Sequence, residues 1–318
     1  MTREIPATAT VTVDHRAYLG RPCGDGFAVV SREGELTVVD ARLRPQRRGE
    51  LGGPVGDFDV APDGTWAWAG DGQLRVGDVH SSVDGEVACR WLPSGQALWV
   101  ANGTGDEVHV TLRTPDLQVV RSVTVPDEFG DSMVALLPHG DAVVLWVAAG
   151  QDGQQSWLIS EAGTAERLPA DDCLPALFGP DGTWLLAADD ARIARLTWPD
   201  GVEDGALSWD DIDPEAAGNG SDAPGADLML LPGGFVSWST GNGRIRTIDL
   251  ATMTVADEIA LAGHPVRTVA ELYPSLAGDL NPCGDFGYSV LGTGGTVLSV
   301  HGKHTLVLSR LRDWSPDR

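Results

Sequence analysis

The chain is poor in basic residues, and lysine is almost absent. Its 318 residues carry 22 Lys and Arg against 46 Asp and Glu, a formal charge of −24, and Lys303 is the one lysine. A surface so acidic repels the phosphates of nucleic acid and of anionic membranes, so neither is expected as a partner. Basic or cationic protein surfaces are favoured instead. Long apolar runs are also missing, which excludes a membrane-spanning helix. The opening residues, MTREIPATATV, lack a basic region followed by an apolar stretch, so no secretion signal is read there. Cysteine is sparse. Cys23, Cys89, Cys173 and Cys283 form no C-x-x-C pair, which argues against a zinc knuckle or thioredoxin-like chemistry. Isolated thiols without a leader fit a reduced, cytoplasmic protein. No segment shows convincing helical periodicity. The chain also lacks a G-x-S-x-G elbow, a phosphate loop and a dinucleotide fingerprint, so no common catalytic signature is present.

Glycine and short apolar strands are what the chain has in quantity. Gly occurs 40 times and hydrophobic residues make up 42%, enough for many turns and a sizeable core. The phrase PDGTW appears twice, at 62–66 and 180–184. It is one form of a looser unit, P-x-G after an apolar stretch. The unit begins at Pro22, Pro62, Pro93, Pro138, Pro180, Pro232 and Pro282. The mean step of about 43 residues matches one four-stranded propeller blade. Pro presets φ for each turn and Gly supplies its positive-φ position. An apolar strand precedes each turn, another follows it, and a third follows a Gly- or Asp-rich turn.

Seven units predict an all-β, seven-bladed β-propeller with four-stranded antiparallel blades, spanning 1–318 as a single domain. Residues 7–13 alternate cleanly and are expected to help close the ring with the last blade. Only 31 residues separate Pro62 from Pro93, so the second blade is expected to have three strands. Counted from each turn Gly into the second strand, Trp66, Trp68, Trp99, Trp146, Trp184 and Trp238 all fall at even offsets, and Phe27 at an odd one. Even spacing places those indoles on one face of their strands.

The units VAPDGTWAWAGDG and FGPDGTWLLAADD, and the third strands TVVDARL and RTIDLAT, resemble those of WD-repeat and YVTN-type propellers. Gly263-His264 sits where WD repeats place their Gly-His. The resemblance implies a ring fold and, most often, a scaffold or binding role.

Propeller sites usually lie on the face formed by loops leading into the inner strands. Those loops offer His15, Asp57, Glu86, Asp131, Asp171, Asp172, Asp227 and His264. The leading expectation is a non-catalytic scaffold that binds a protein or ligand through its loop faces. The alternative is a divalent-metal-dependent hydrolase or lyase at an acidic central channel, where carboxylates would suit Ca2+ or Mg2+. No other cofactor is expected. The longest polar insertion, residues 209–227, lacks EF-hand ligand spacing and is expected to be an acidic loop. Arg42, Arg44, Arg47 and Arg48 form the basic cluster, expected first as solvated charges on an outer strand; the alternative is that, with Arg310 and Arg312, they make a positive rim at the ring closure for an acidic or phosphorylated protein.

Overall fold

The computed structural model describes residues 3–130, 132–149, 153–168, 173–189, 191–212, 228–231, 233–239, 244–261, 286–291, 296–301 and 304–310. Within them the chain forms seven sheets of short antiparallel strands. The inner strands are Leu19–Cys23, Asp57–Val60, Glu86–Trp91, Met133–His139, Leu174–Phe178, Leu228–Leu231 and Phe286–Leu291. Each touches the next in that order, and the seventh touches the first, so the sheets form a closed ring of seven blades.

Apolar wedges between neighbouring blades hold the ring. Ala28, Val30 and Leu36 of blade 1 pack on Phe58 and Trp68 of blade 2. Leu74 and Val76 of blade 2 pack on Cys89, Leu98 and Val100 of blade 3. The seam between blades 7 and 1 joins Leu298, Val300, Leu306 and Leu308 to Phe27, Val29 and Val39. These side chains alternate along short strands, so every blade can bury both faces.

The N-terminal residues tie two blades together. Ala7–Thr12 pairs antiparallel with Thr305–Arg310 and is the fourth strand of blade 7, whose other three strands come from 286–310. Arg3–Ile5 pairs parallel with Thr254–Leu261 and makes blade 6 a five-stranded sheet. Ile5 is buried with Leu231, Ile245, Ile259 and Val297, so it packs across the seam between those blades.

Blade 2 corrects the expected strand count. It has four strands despite its short repeat. The fourth, Val79–Ser82, has only four residues and follows Gln73–Val76 after a two-residue turn. Short strands and a minimal turn let a complete blade fit where the spacing suggested one strand fewer.

The shared face for the tryptophans is also corrected. Trp68 is 2% exposed and packs toward blade 1. Trp99, at the same offset from its turn Gly, is 1% exposed and packs on Val143, Leu145 and Val147 of blade 4. The two indoles therefore point in opposite directions around the ring. Turn length is the reason. Val60 pairs with Trp66 across a five-residue turn, whereas Trp91 pairs with Leu98 across six residues. One residue of difference reverses which face every later side chain meets.

The two copies of PDGTW differ in the same way. Both use Asp as an acceptor for the backbone N–H two residues on, Asp63 for Thr65 and Asp181 for Thr183. In blade 2 the Ala61 N–H donates to the Thr65 carbonyl. In blade 5 the Gly179 N–H donates one residue further, to Trp184. A Cβ on Gly179 would lie 2.3 Å from the Trp184 ring. Glycine there lets the indole lie against the backbone inside a longer turn, and Ala61 forbids the same arrangement. Trp184 consequently faces Val236 and Ile248 of blade 6, whereas Trp66 packs toward blade 1.

Candidate functional site

The inner strands of blades 1 to 3 carry the densest set of engaged charges in the described part of the ring. Arg21 comes from blade 1, Asp57 and Asp59 from blade 2, and Arg90 from blade 3. Asp57 and Asp59 are two residues apart on one strand, so both side chains leave its same face. That face looks at blade 3. Asp57 Oδ2 accepts from the Cys89 N–H at 3.0 Å, and Asp59 Oδ2 accepts from the Trp91 N–H at 2.8 Å. The two carboxylates thus satisfy backbone donors on the innermost edge of the next blade, donors that an edge strand leaves without partners.

Both arginines converge on Asp57. Arg90 Nη1 donates to Asp57 Oδ2 at 2.5 Å, and Arg21 Nη2 donates to Asp57 Oδ1 at 3.3 Å. Arg21 Nε also donates to the Phe58 carbonyl at 3.0 Å, and it lies 3.9 Å from Asp59 Oδ1. All of these side chains are mostly buried. Burial lowers the pKa of Arg21, and the Arg90 charge lowers it further. Burial also disfavours the charged form of Arg90, but Asp57 and Asp59 outweigh it and hold that guanidinium above its ordinary range. Burial, with Asp57 beside it, pushes the Cys89 thiol well up. A buried thiol held protonated is no nucleophile. The arrangement is therefore a charged clasp across three blades, chemically quiet and electrostatically balanced.

His15 stands apart from this cluster. It is buried, with Nε2 3.0 Å from the Thr37 hydroxyl of blade 1's third strand. Burial lowers its pKa. Glu35 and Asp14 act against that shift, and His304 reinforces it. Folding therefore keeps His15 neutral while an unfolded chain takes up its proton near pH 6.5. Stability from this group is present above that pH and is lost as the pH falls below it. Melting temperature should drop between about pH 7 and about pH 5, and His15→Gln should flatten part of that slope. An unchanged slope in the variant would exclude His15 as a source. His139, also lowered by burial, supplies part of the remainder.

Glu86 opens the inner strand of blade 3 and pairs with Gly103. Asp131, Asp171, Asp172, Asp227 and His264 lie outside the described residues, as does most of the 209–227 insertion. Its described beginning is one helical turn, Trp209–Ile212, with the Ser208 hydroxyl accepting from the Asp211 N–H. Among the described residues no three or more His, Cys, Asp or Glu are grouped so as to hold a metal ion. No described helix is long and apolar enough to cross a membrane.

Arg21, Asp59 and Arg90 were absent from the sequence-based candidates, and so was Asp127. Asp127 is buried in the loop entering blade 4 and accepts from the N–H groups of Phe129, Gly130 and Ser132. Burial disfavours its charge, but these donors outweigh that effect and lower its pKa. The signal for the clasp was present in D-F-D. Acidic residues two apart on an otherwise apolar inner strand call for partners on the facing blade.

No family model matches this chain, and no curated protein matches it.

Proposed function

We propose that this protein is a non-catalytic propeller that binds a basic or cationic protein partner through the loops at one end of its ring. One observation carries the reading. Where the chain enters the inner strands, described carboxylates such as Asp57 and Asp127 are occupied in holding the fold, while apolar side chains stand open. Tyr18 is 39% exposed just before the inner strand of blade 1, and Met133 is 53% exposed at the start of that of blade 4. An apolar contact inside an acidic surround suits a partner with a basic rim. The repeating strand–turn–strand units support a place among divergent WD-repeat or YVTN-type propellers, in which ring faces commonly serve as platforms.

Charge reversal on each end of the ring tests this. Val79 and Val202 are exposed at the start of fourth strands, hence at the opposite end. Tyr18→Glu with Met133→Glu should abolish capture of a partner that Val79→Glu with Val202→Glu retains, at equal melting temperature. Equal loss from both pairs, or from neither, would refute a face-specific site. Calcium and magnesium should leave the melting temperature unchanged on this reading. A cation-dependent rise would instead favour metal-dependent chemistry at the channel.

A further inference from the structure

We infer that the outer edge of blade 1 is a second docking site, which accepts an acidic, extended segment of a partner protein as a fifth strand. The inference does not rest on the loop-face reading, because it concerns the circumference of the ring.

The edge strand, Pro45–Glu50, reads PQRRGE, and every residue in it is exposed. It lies in the most basic stretch of a chain with twice as many acids as bases. Arg42, Arg44, Arg47 and Arg48 fall within seven positions. Two of them are paired internally: Arg44 Nε lies 3.2 Å from Asp40, and Arg48 contacts Asp14. Both arginines are solvent-exposed, so an incoming carboxylate can compete for them at small cost.

The backbone is arranged to accept a strand. Leu51 N–H donates to the Gly34 carbonyl, and Gly49 lies opposite Leu36. By the antiparallel alternation, Arg48 and Glu50 turn their N–H and C=O groups away from the sheet, toward the open edge. This fold already takes a fifth strand elsewhere, since Arg3–Ile5 adds to the outer edge of blade 6.

The side chains fix what would bind. Arg47 leans toward blade 2, its guanidinium 4.0 Å from the centroid of the Trp66 ring. Stacking occupies one face of the guanidinium and leaves its in-plane N–H donors for a carboxylate. Arg48 leans the other way, toward Asp14 at the end of the blade 7 closing strand. An added strand therefore meets one arginine on each of its faces, which suits carboxylates on both. Beside Arg47, a cleft of about 450 Å3 between blades 1 and 2 is lined by Trp66, Arg75 and Glu50. In it Arg75 donates to the Leu51 carbonyl through Nη1, while its Nε is buried without a partner.

A polypeptide fits better than a nucleic acid. The edge presents backbone donors and acceptors that only another peptide backbone matches, and the charge of −24 repels a polyphosphate at long range. At about 0.1 M salt the Debye length is about 10 Å, so the local arginines dominate for a short acidic peptide.

The test uses fluorescein-labelled TEEVTEEV, whose glutamates fall on both faces of a strand, with TEEPTEEP as a control of equal charge that cannot form a strand, read by fluorescence anisotropy. The wild-type protein should bind the first and bind the second at least about tenfold more weakly. Arg47→Ala with Arg48→Ala should weaken binding by about tenfold or more. Glu50 separates backbone pairing from charge. Glu50→Ala removes a like charge and should tighten binding, whereas Glu50→Pro removes the same charge and an outward N–H and should weaken it. No binding to the wild type, equal binding of both peptides, or matching behaviour of the two Glu50 variants would overturn the proposal. So would self-association abolished by Glu50→Pro without peptide binding, which would make a second copy of the chain the occupant.

Discussion

Asp57→Ala should lower folding stability by about 3 kcal/mol, the cost of breaking a largely buried ion pair from one side. The variant removes the carboxylate that Arg21 and Arg90 share and leaves Asp59 alone against two guanidinium charges. It also strips the Cys89 N–H of its acceptor on the inner edge of blade 3. Each consequence opposes folding on its own: like charges repel at short range in a poorly solvated site, and an orphaned N–H loses its hydration without return. Asp57→Asn keeps an acceptor oxygen but not the charge, so it should fall between the wild type and alanine. Urea denaturation measures all three proteins. A loss below about 1 kcal/mol for Asp57→Ala would mean that the arginines find solvent readily and that the clasp is ornamental.

Trp99→Ala should cost about 3–5 kcal/mol, and Trp68→Ala a similar amount. Each indole is almost wholly buried, and each deletion opens a void between two blades that backbones in a closed ring cannot collapse to fill. Their placement makes a sharper claim. Trp68 belongs to the seam between blades 1 and 2, and Trp99 to the seam between blades 3 and 4. Residues in separate seams share no partners, so the double variant should equal the sum of the singles within about 0.5 kcal/mol. Coupling well above that would contradict the opposite orientations of the two side chains. Chemical denaturation of the two single variants and the double variant decides it.

The turn signals carried the architecture. The units at Pro22, Pro62, Pro93, Pro138 and Pro180 fall at the turn between the inner and second strands of a blade, because proline and glycine impose backbone angles regardless of what packs around them, while Pro232 and Pro282 lie outside the described residues. The facing of the tryptophans was not legible from the same signals. Trp66 and Trp184 stand in identical pentapeptides, and what separates them is the preceding residue, Ala61 in one case and Gly179 in the other. Where a tryptophan ends the turn, a Cβ at that position excludes the longer turn, and strand alternation then carries that choice along the whole strand. The clasp was half legible. Asp57 stood out as a carboxylate near the channel, but its partners lie 36 positions before it and 33 after it in the chain. Sequence spacing says nothing about such partners until the blades are placed side by side. His15 likewise read as a loop residue, and its burial follows from Thr37, which approaches only through the tertiary fold.

The strand 7–12 that completes blade 7 has a consequence for how the molecule is made. It leaves the ribosome well before its partner strand, 305–310, which lies about 300 positions later in the chain. At ordinary elongation rates of about 5–20 residues per second, the two are separated by tens of seconds. Throughout that interval blades can form one after another from local hairpins, but the circle stays open, and blades 1 and 7 have no neighbour on the seam they will share. The birth order of the two strands thus sets a late, single locking event, when the waiting strand meets its distant partner.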